Sequence, residues 1–197
     1  MKRLALLCGA MLFFAGVASA QDSPKVEAFG GYSYVRANPG DGVPSENFNG
    51  GSGSLSYNIV PWLGIVGDVG GYHWNGSGDF SGTDYTVFSY LFGPKIALRH
   101  GPFTPFVQAL FGGARISGTS CSSDVRVHAE QEGSSSGCGS GSQNDFAMTM
   151  GGGVDWNATP HIGVRLIQAE YFLTDFSVFS AGHQNNARVS AGVVIRF

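Results

Sequence analysis

The sequence is short of charge. Asp, Glu, Lys and Arg make up 13% of its 197 residues, about half the share in an ordinary soluble domain. Only 11 residues are Lys or Arg and the formal net charge is −3. A chain so poor in cations has no basic face for a phosphate backbone, which excludes nucleic acid as a partner. Cysteine is scarce as well, with three in the chain. Only His128 is placed to join Cys121 and Cys138 as a third ligand, and the spacing is not that of a metal site. No metal and no cofactor are expected. Helical periodicity is also missing, because no segment after residue 20 repeats its apolar positions every 3.6 residues. What the chain has in quantity is glycine, 31 residues, together with 15 Phe, at an ordinary 43% hydrophobic content. That content excludes a disordered chain. The glycines are too scattered for collagen and lie among aromatics rather than in a linker.

The first twenty residues differ from the rest. Lys2 and Arg3 precede the apolar run Leu4–Val17, and Ala18-Ser19-Ala20 follows as a small-x-small site. This is the pattern of a secretory signal cleaved after Ala20. The run falls short of the roughly 20 apolar residues of a membrane-spanning helix, and Cys8 lies too deep in it for a lipoprotein. The expected organisation is a signal peptide over residues 1–20 and one domain over 21–197, exported by the general secretory route. An exported chain then holds two cysteines, Cys121 and Cys138, both in a stretch of Ser, Gly, Asp, Glu and Gln. An even count in an oxidising compartment predicts one disulfide, which would constrain its loop by roughly 3 kcal/mol in the chain-entropy account.

The mature chain has a period of two. In 187–197, Ala187, Val189, Ala191, Val193, Ile195 and Phe197 alternate with Arg188, Ser190, Gly192, Val194 and Arg196. The same alternation marks Phe146–Asn157, and less cleanly Lys25–Arg36, Asn49–Ile59, Trp62–His73, Tyr85–Leu98, Phe103–Arg115 and His161–Phe176. In the last of these the phase reverses beyond Ile167, which predicts a β-bulge there. Eight strands result. Their connections alternate between short ones containing Pro61, Pro102 or Pro160 and long polar ones over Ala37–Phe48, Trp74–Asp84, Ser117–Asp145 and Thr174–Asn186. Alternating short and long connections describe an up-and-down antiparallel meander with its long loops at one end, as in bacterial outer-membrane barrels.

The polarity of the faces supports that solvent. One face collects Glu27, Asp68, Lys95, Gln108, Asp155, Arg165, Gln168, Glu170, Arg188 and Arg196 among Gly and Ser, and the other is nearly uncharged and rich in Phe, Tyr, Leu, Ile and Val. A soluble lipocalin-like barrel, the alternative fold, would turn the apolar face inward and the charges to water. Turned to water, the apolar face would exceed what soluble monomers expose. Turned to lipid, it leaves the charges in the lumen and closes the ring without a free edge. Tyr34, Tyr57, Phe88, Trp156, Tyr171 and Phe197 are placed for interfacial girdles. Glycines such as Gly30-Gly31, Gly70-Gly71, Gly112-Gly113 and Gly151–Gly153 suit the tight bend and narrow interior of eight strands.

On these residues the chain resembles the small OmpA-like outer-membrane barrels. The matching segments are Val26–Tyr34, Val60–Gly64, Pro105–Gly113, Ile162–Arg165 and Val189–Phe197. The resemblance implies an eight-stranded transmembrane barrel in the outer membrane of a Gram-negative-type bacterium, with outer-membrane lipids as its surroundings. It also implies that Val193, Ile195 and Phe197 form the C-terminal signal read by the barrel insertion machinery. Relatives often carry a peptidoglycan-binding domain after the barrel. The sequence ends at Phe197, and that anchoring role is not carried over.

Two readings of the lumen follow. Glu27, Asp68, Asp155 and Glu170 paired with Lys95, Arg165, Arg188 and Arg196 would plug it, and the narrow bore favours this over a small passive pore for ions or solutes. The four polar loops offer a surface for an unknown ligand, as in an adhesin. An enzyme, such as a lipid hydrolase, is not expected. His73, His100, His128, His161 and His183 are the candidate bases, and none is spaced from a Ser in a nucleophile motif. The reading is a monomer with a structural or surface-interaction role.

Overall fold

Alternating side-chain faces require pleated backbone, and pleated backbone in lipid requires every strand to be paired on both sides. The computed structural model describes residues 24–38, 45–75, 83–99, 101–122, 137–175 and 183–197. The signal segment with Ala18 and Ala20 lies outside the described residues. Eight strands run in chain order: β1 Val26–Ala37, β2 Glu46–Val60, β3 Leu63–Asn75, β4 Thr83–Ala97, β5 Phe103–Ser122, β6 Gly137–Asn157, β7 Ile162–Thr174 and β8 Gln184–Arg196. Each pairs antiparallel with the next, and β8 returns to β1, giving a closed barrel. The seam runs from Glu27↔Arg196 to Arg36↔Ala187. It is tied at its base by reciprocal backbone bonds between Val26 and Phe197, 3.2 and 2.9 Å.

The faces fall as the alternation predicts. Along β4, Phe88, Tyr90, Phe92, Pro94, Ile96 and, just beyond the strand, Leu98 point outward, while Ser89, Leu91, Gly93, Lys95 and Ala97 point inward. At about 3.3 Å per residue and a tilt near 40°, that outward run covers about 25 Å along the membrane normal, the height of a lipid-facing band. Tyr57, Trp62, Phe103, Trp156 and Phe197 are exposed at the short-turn end, and Tyr32, Phe88, Phe146 and Tyr171 toward the other. They form two girdles. Tyr34, also outward and half-buried, hydrogen-bonds Asn47 at 2.6 Å.

The phase reversal in β7 is a bulge. Arg165 pairs with Gly192 and Gln168 with Ser190, so Leu166 and Ile167 together face a single residue of β8. Both are half exposed to the lipid side, at 50%. This lets Arg165 and Gln168 both enter the lumen at 2% and 1% exposure. The glycines answer to curvature. Gly31 and Gly192 are register partners on the inside of the seam. A Cβ on Gly31 would sit 2.2 Å from the Ala191 carbonyl oxygen, and one on Gly192 would sit 2.3 Å from that of Gly30.

Two expectations are corrected. The long connections are shorter than the sequence implies, because pairing continues past the lipid band. The largest change is in 117–145: β5 extends to Ser122 and β6 begins at Gly137, so most of the expected loop is paired hairpin. Outside the membrane neither face of a strand need be apolar, so the sequence carries no alternation to mark it. Pairing there is helped by Arg115, which donates to Ser142 at 3.0 Å, and by the Tyr85 ring lying over Gly118. The second correction concerns the lumen. It is not lined by polar and small residues alone. Val35, Phe48, Val66, Tyr72, Val87, Leu91, Leu110, Ala114, Ile116, Ala147 and Phe172 form one buried cluster, most of it toward the long-loop end.

Candidate functional site: the lumen

A narrow barrel brings opposite walls within reach of one long side chain, so charges far apart in sequence meet across it. The predicted network does so in two adjoining layers. At the short-turn mouth, Glu27 of β1 accepts from Lys95 of β4 at 2.9 Å and from Arg99 at 2.9 Å. Arg196 of β8 lies 3.5 Å from the same carboxylate. Asp155 of β6 takes Arg165 of β7 through both oxygens, at 2.8 and 3.2 Å. The Arg165 guanidinium also lies between the rings of Phe29 and Phe106, 4.2 and 4.4 Å from their centroids. Lys95 sits 4.7 Å over the Phe106 ring. These rings cover cations that have left water.

The second layer is deeper. Arg188 of β8 donates to Asp68 of β3 at 2.7 Å and to Glu170 of β7 at 2.6 Å, and reaches the Tyr72 hydroxyl at 3.0 Å. Gln108 donates to the other Glu170 oxygen at 2.8 Å. Arg188 is fully buried. A charge so placed must have partners, since removing one ion of a buried pair leaves the other uncompensated. Alongside, Ser33 bonds both Ser52 and Ser190 at 2.6 Å, joining three strands. Toward the long-loop end come the apolar cluster and then Thr174, Gln184 and Asn186, linked at 3.0–3.1 Å.

All eight predicted lumen charges are therefore inside and paired. Sequence reasoning missed four contributors. Arg99 lies beyond the end of β4, where alternation gives no face, yet it reaches Glu27. Phe29 and Phe106 fall on the inward parity among polar residues; that parity was the available signal. Tyr72 likewise shares the parity of Asp68.

The other predicted residues are dispersed. Val193, Ile195 and Phe197 point outward on the terminal segment, exposed at 49, 45 and 69%. Cys121 stands directly opposite Cys138 in the β5–β6 register, although their side chains lie outside the described ones. Of the histidines, His73 bonds Thr86 on the outer face at 3.1 Å, His161 approaches the Arg196 carbonyl at 3.3 Å, and His183 pairs with Asp175 at 3.2 Å at the outer end. His100 and His128 lie outside the described residues.

A closed antiparallel ring with an apolar outer band, two aromatic girdles and charges in its lumen is a transmembrane β-barrel. The chain matches the family described as outer membrane protein beta-barrel domain over residues 5–197, and it belongs to that family. It is thus a small OmpA-like barrel of the Gram-negative outer membrane. Among solved structures it is similar to Neisserial surface protein A, at 16% identity and a TM-score of 0.64, covering 90% of this chain and 100% of that one. It is similar to Ail, the attachment invasion locus protein of Yersinia pestis, at 15% identity and a TM-score of 0.57, over 88% and 99% of the two chains. The N-terminal β-barrel domain of Pseudomonas aeruginosa OprF aligns at 10% identity and a TM-score of 0.51, over 89% and 100%. At these identities the likeness is one of fold. No curated protein sequence matches the chain.

Proposed function

We propose that this protein is a sealed outer-membrane barrel, a structural or surface-interaction module rather than a pore. One observation carries the reading: Arg188, with no solvent exposure, bridges from β8 to Asp68 on β3 and Glu170 on β7. The apolar cluster around Leu110 and Phe172 supports it, since a lumen filled by aliphatic and aromatic side chains excludes water as a core does. The test is single-channel recording in planar bilayers. The wild type is expected to show no steady conductance. Steady conductance altered by Lys95→Glu or Arg188→Glu would overturn the plug and establish the passive pore.

The second reading concerns the outer end. The β5–β6 hairpin, stiffened by a Cys121–Cys138 disulfide, is a recognition surface on a rigid base, and the facing register of the two cysteines favours that bond. One structure of the similar Ail is in complex with the heparin analogue sucrose octasulfate. The described outer rim here carries Glu46, Asp84, Asp145 and Asp175 beside Arg36, Arg115 and His183, which does not favour a sulfated polymer. In this reading the chain is exported and cleaved after Ala20, is inserted through Val193, Ile195 and Phe197, and stays monomeric.

A further inference from the structure

The charge layer at the short-turn mouth is not balanced. Among the described residues it holds four cations, Lys95, Arg99, Arg165 and Arg196, and two anions, Glu27 and Asp155. The deeper layer leans the other way, with Asp68 and Glu170 sharing Arg188. Three of the four mouth cations are well supplied. Lys95 and Arg99 each contact Glu27 at 2.9 Å, Arg99 also bonds the Pro61 carbonyl oxygen, and Arg165 is held by Asp155, Gln168 and two rings. Arg196 is not. Its guanidinium stands 3.5 Å from Glu27 and 3.9 Å from Asp155, its Nη2 has no hydrogen-bond partner, and the residue is 95% shielded, at 5% exposure. Arg99 and Arg196 meet at one oxygen, Oε1 of Glu27. The backbone makes room for the guanidinium: a Cβ on Gly163 would lie 2.7 Å from Nη1 of Arg196.

A buried guanidinium with an unused N–H and surplus positive charge around it calls for an anion. We infer that the short-turn mouth of the lumen binds one small inorganic anion of chloride size, held by Arg196 with Arg99 beside it. The anion comes from the periplasmic side and completes the electrostatics of the mouth layer. The site does not require a sealed barrel. It rests on the mouth layer alone and stands or falls apart from the conductance reading.

The test is the unfolding rate of the full mature chain, refolded in neutral phosphatidylcholine vesicles, as chloride replaces gluconate at constant ionic strength. Gluconate is too large for so enclosed a site. The rate is expected to fall at least threefold and to saturate, in the wild type and in Arg115→Gln, whose guanidinium is on the outer hairpin. In Arg196→Gln the dependence on chloride is expected to vanish. That variant leaves no carboxylate unpaired, because Glu27 keeps Lys95 and Arg99, and Asp155 keeps Arg165. Should it nonetheless fail to fold, Gly163→Ala decides, since its methyl group displaces the guanidinium and is expected to weaken chloride protection. Inorganic phosphate in place of chloride reports whether an oxyanion also fits. Protection seen only in chloride-free phosphatidylglycerol vesicles would assign the anion to a lipid headgroup and overturn the inference. So would a chloride effect that survives in Arg196→Gln.

Discussion

Arg188→Met is the sharpest test of the lumen. Methionine keeps the length and apolar stem of arginine but removes the charge that faces Asp68 at 2.7 Å and Glu170 at 2.6 Å. Both carboxylates are buried, at 2% and 4% exposure. Each then lacks its cation, although Glu170 keeps the Gln108 amide. Breaking one buried pair costs about 3–5 kcal/mol, and two acids lose their partner at once, so the expected loss is at the upper end, about 5 kcal/mol. With a urea slope of about 2 kcal/mol/M for a chain of this size, the unfolding midpoint falls by about 2.5 M. The partner variant Arg188→Met/Asp68→Asn/Glu170→Gln removes the charges together, and its expected loss is about 1–2 kcal/mol, the cost of buried amides left short of hydrogen-bond partners. The assay is urea unfolding in phospholipid vesicles, followed by tryptophan fluorescence and by the folded and unfolded bands on unheated gels. A single variant within about 1 kcal/mol of wild type, or a triple variant as unstable as the single, would refute the argument that compensation of buried charge holds this layer.

Other outcomes follow from the backbone. Gly192→Ala places a methyl 2.3 Å from the Gly30 carbonyl oxygen at the seam, and about 1–3 kcal/mol of destabilisation is expected in the same assay; a neutral result would remove curvature as the reason for this glycine. Deleting Leu166 takes away the residue that resets the phase of β7, so Arg165 or the Gln168–Glu170 pair must turn to lipid. No folded band is expected, and a stably folded deletion would show that the bulge is dispensable. Cys121→Ser is expected to leave insertion unchanged, because the hairpin lies beyond the lipid band; failed insertion would tie the pair to barrel folding. In the wild type, Cys121 and Cys138 are expected to resist alkylation until reduced.

The architecture was legible because lipid imposes a strict rule on alternate residues. Ala187 to Phe197 states its two faces without ambiguity, and the flip beyond Ile167 marked a bulge that strand pairing puts at Leu166–Ile167. The lumen charges were legible by the same parity. Their partners were not, because pairing across the bore depends on shear, which sets Asp68 and Arg188 at one level although 120 residues separate them. Apolar lumen residues such as Val35, Leu110 and Phe172 were hidden for a different reason. On strands with two apolar faces the alternation fades, and only three-dimensional closure tells lipid from interior. The extended hairpin escaped notice because water makes no demand on its sequence.

That hairpin also sets a distance. From Arg115, the last large outward side chain above the girdle on β5, to Ser122 the backbone runs a further seven residues, about 23 Å along the strand and about 18 Å above the lipid at a 40° tilt. Neighbouring strands stop well short of this on every side but one: β4 follows β5 as far as Ser120. The barrel therefore carries a stiff, off-centre mast. Its described residues hold Cys121 and Cys138 clear of the membrane, at a height written into backbone pairing.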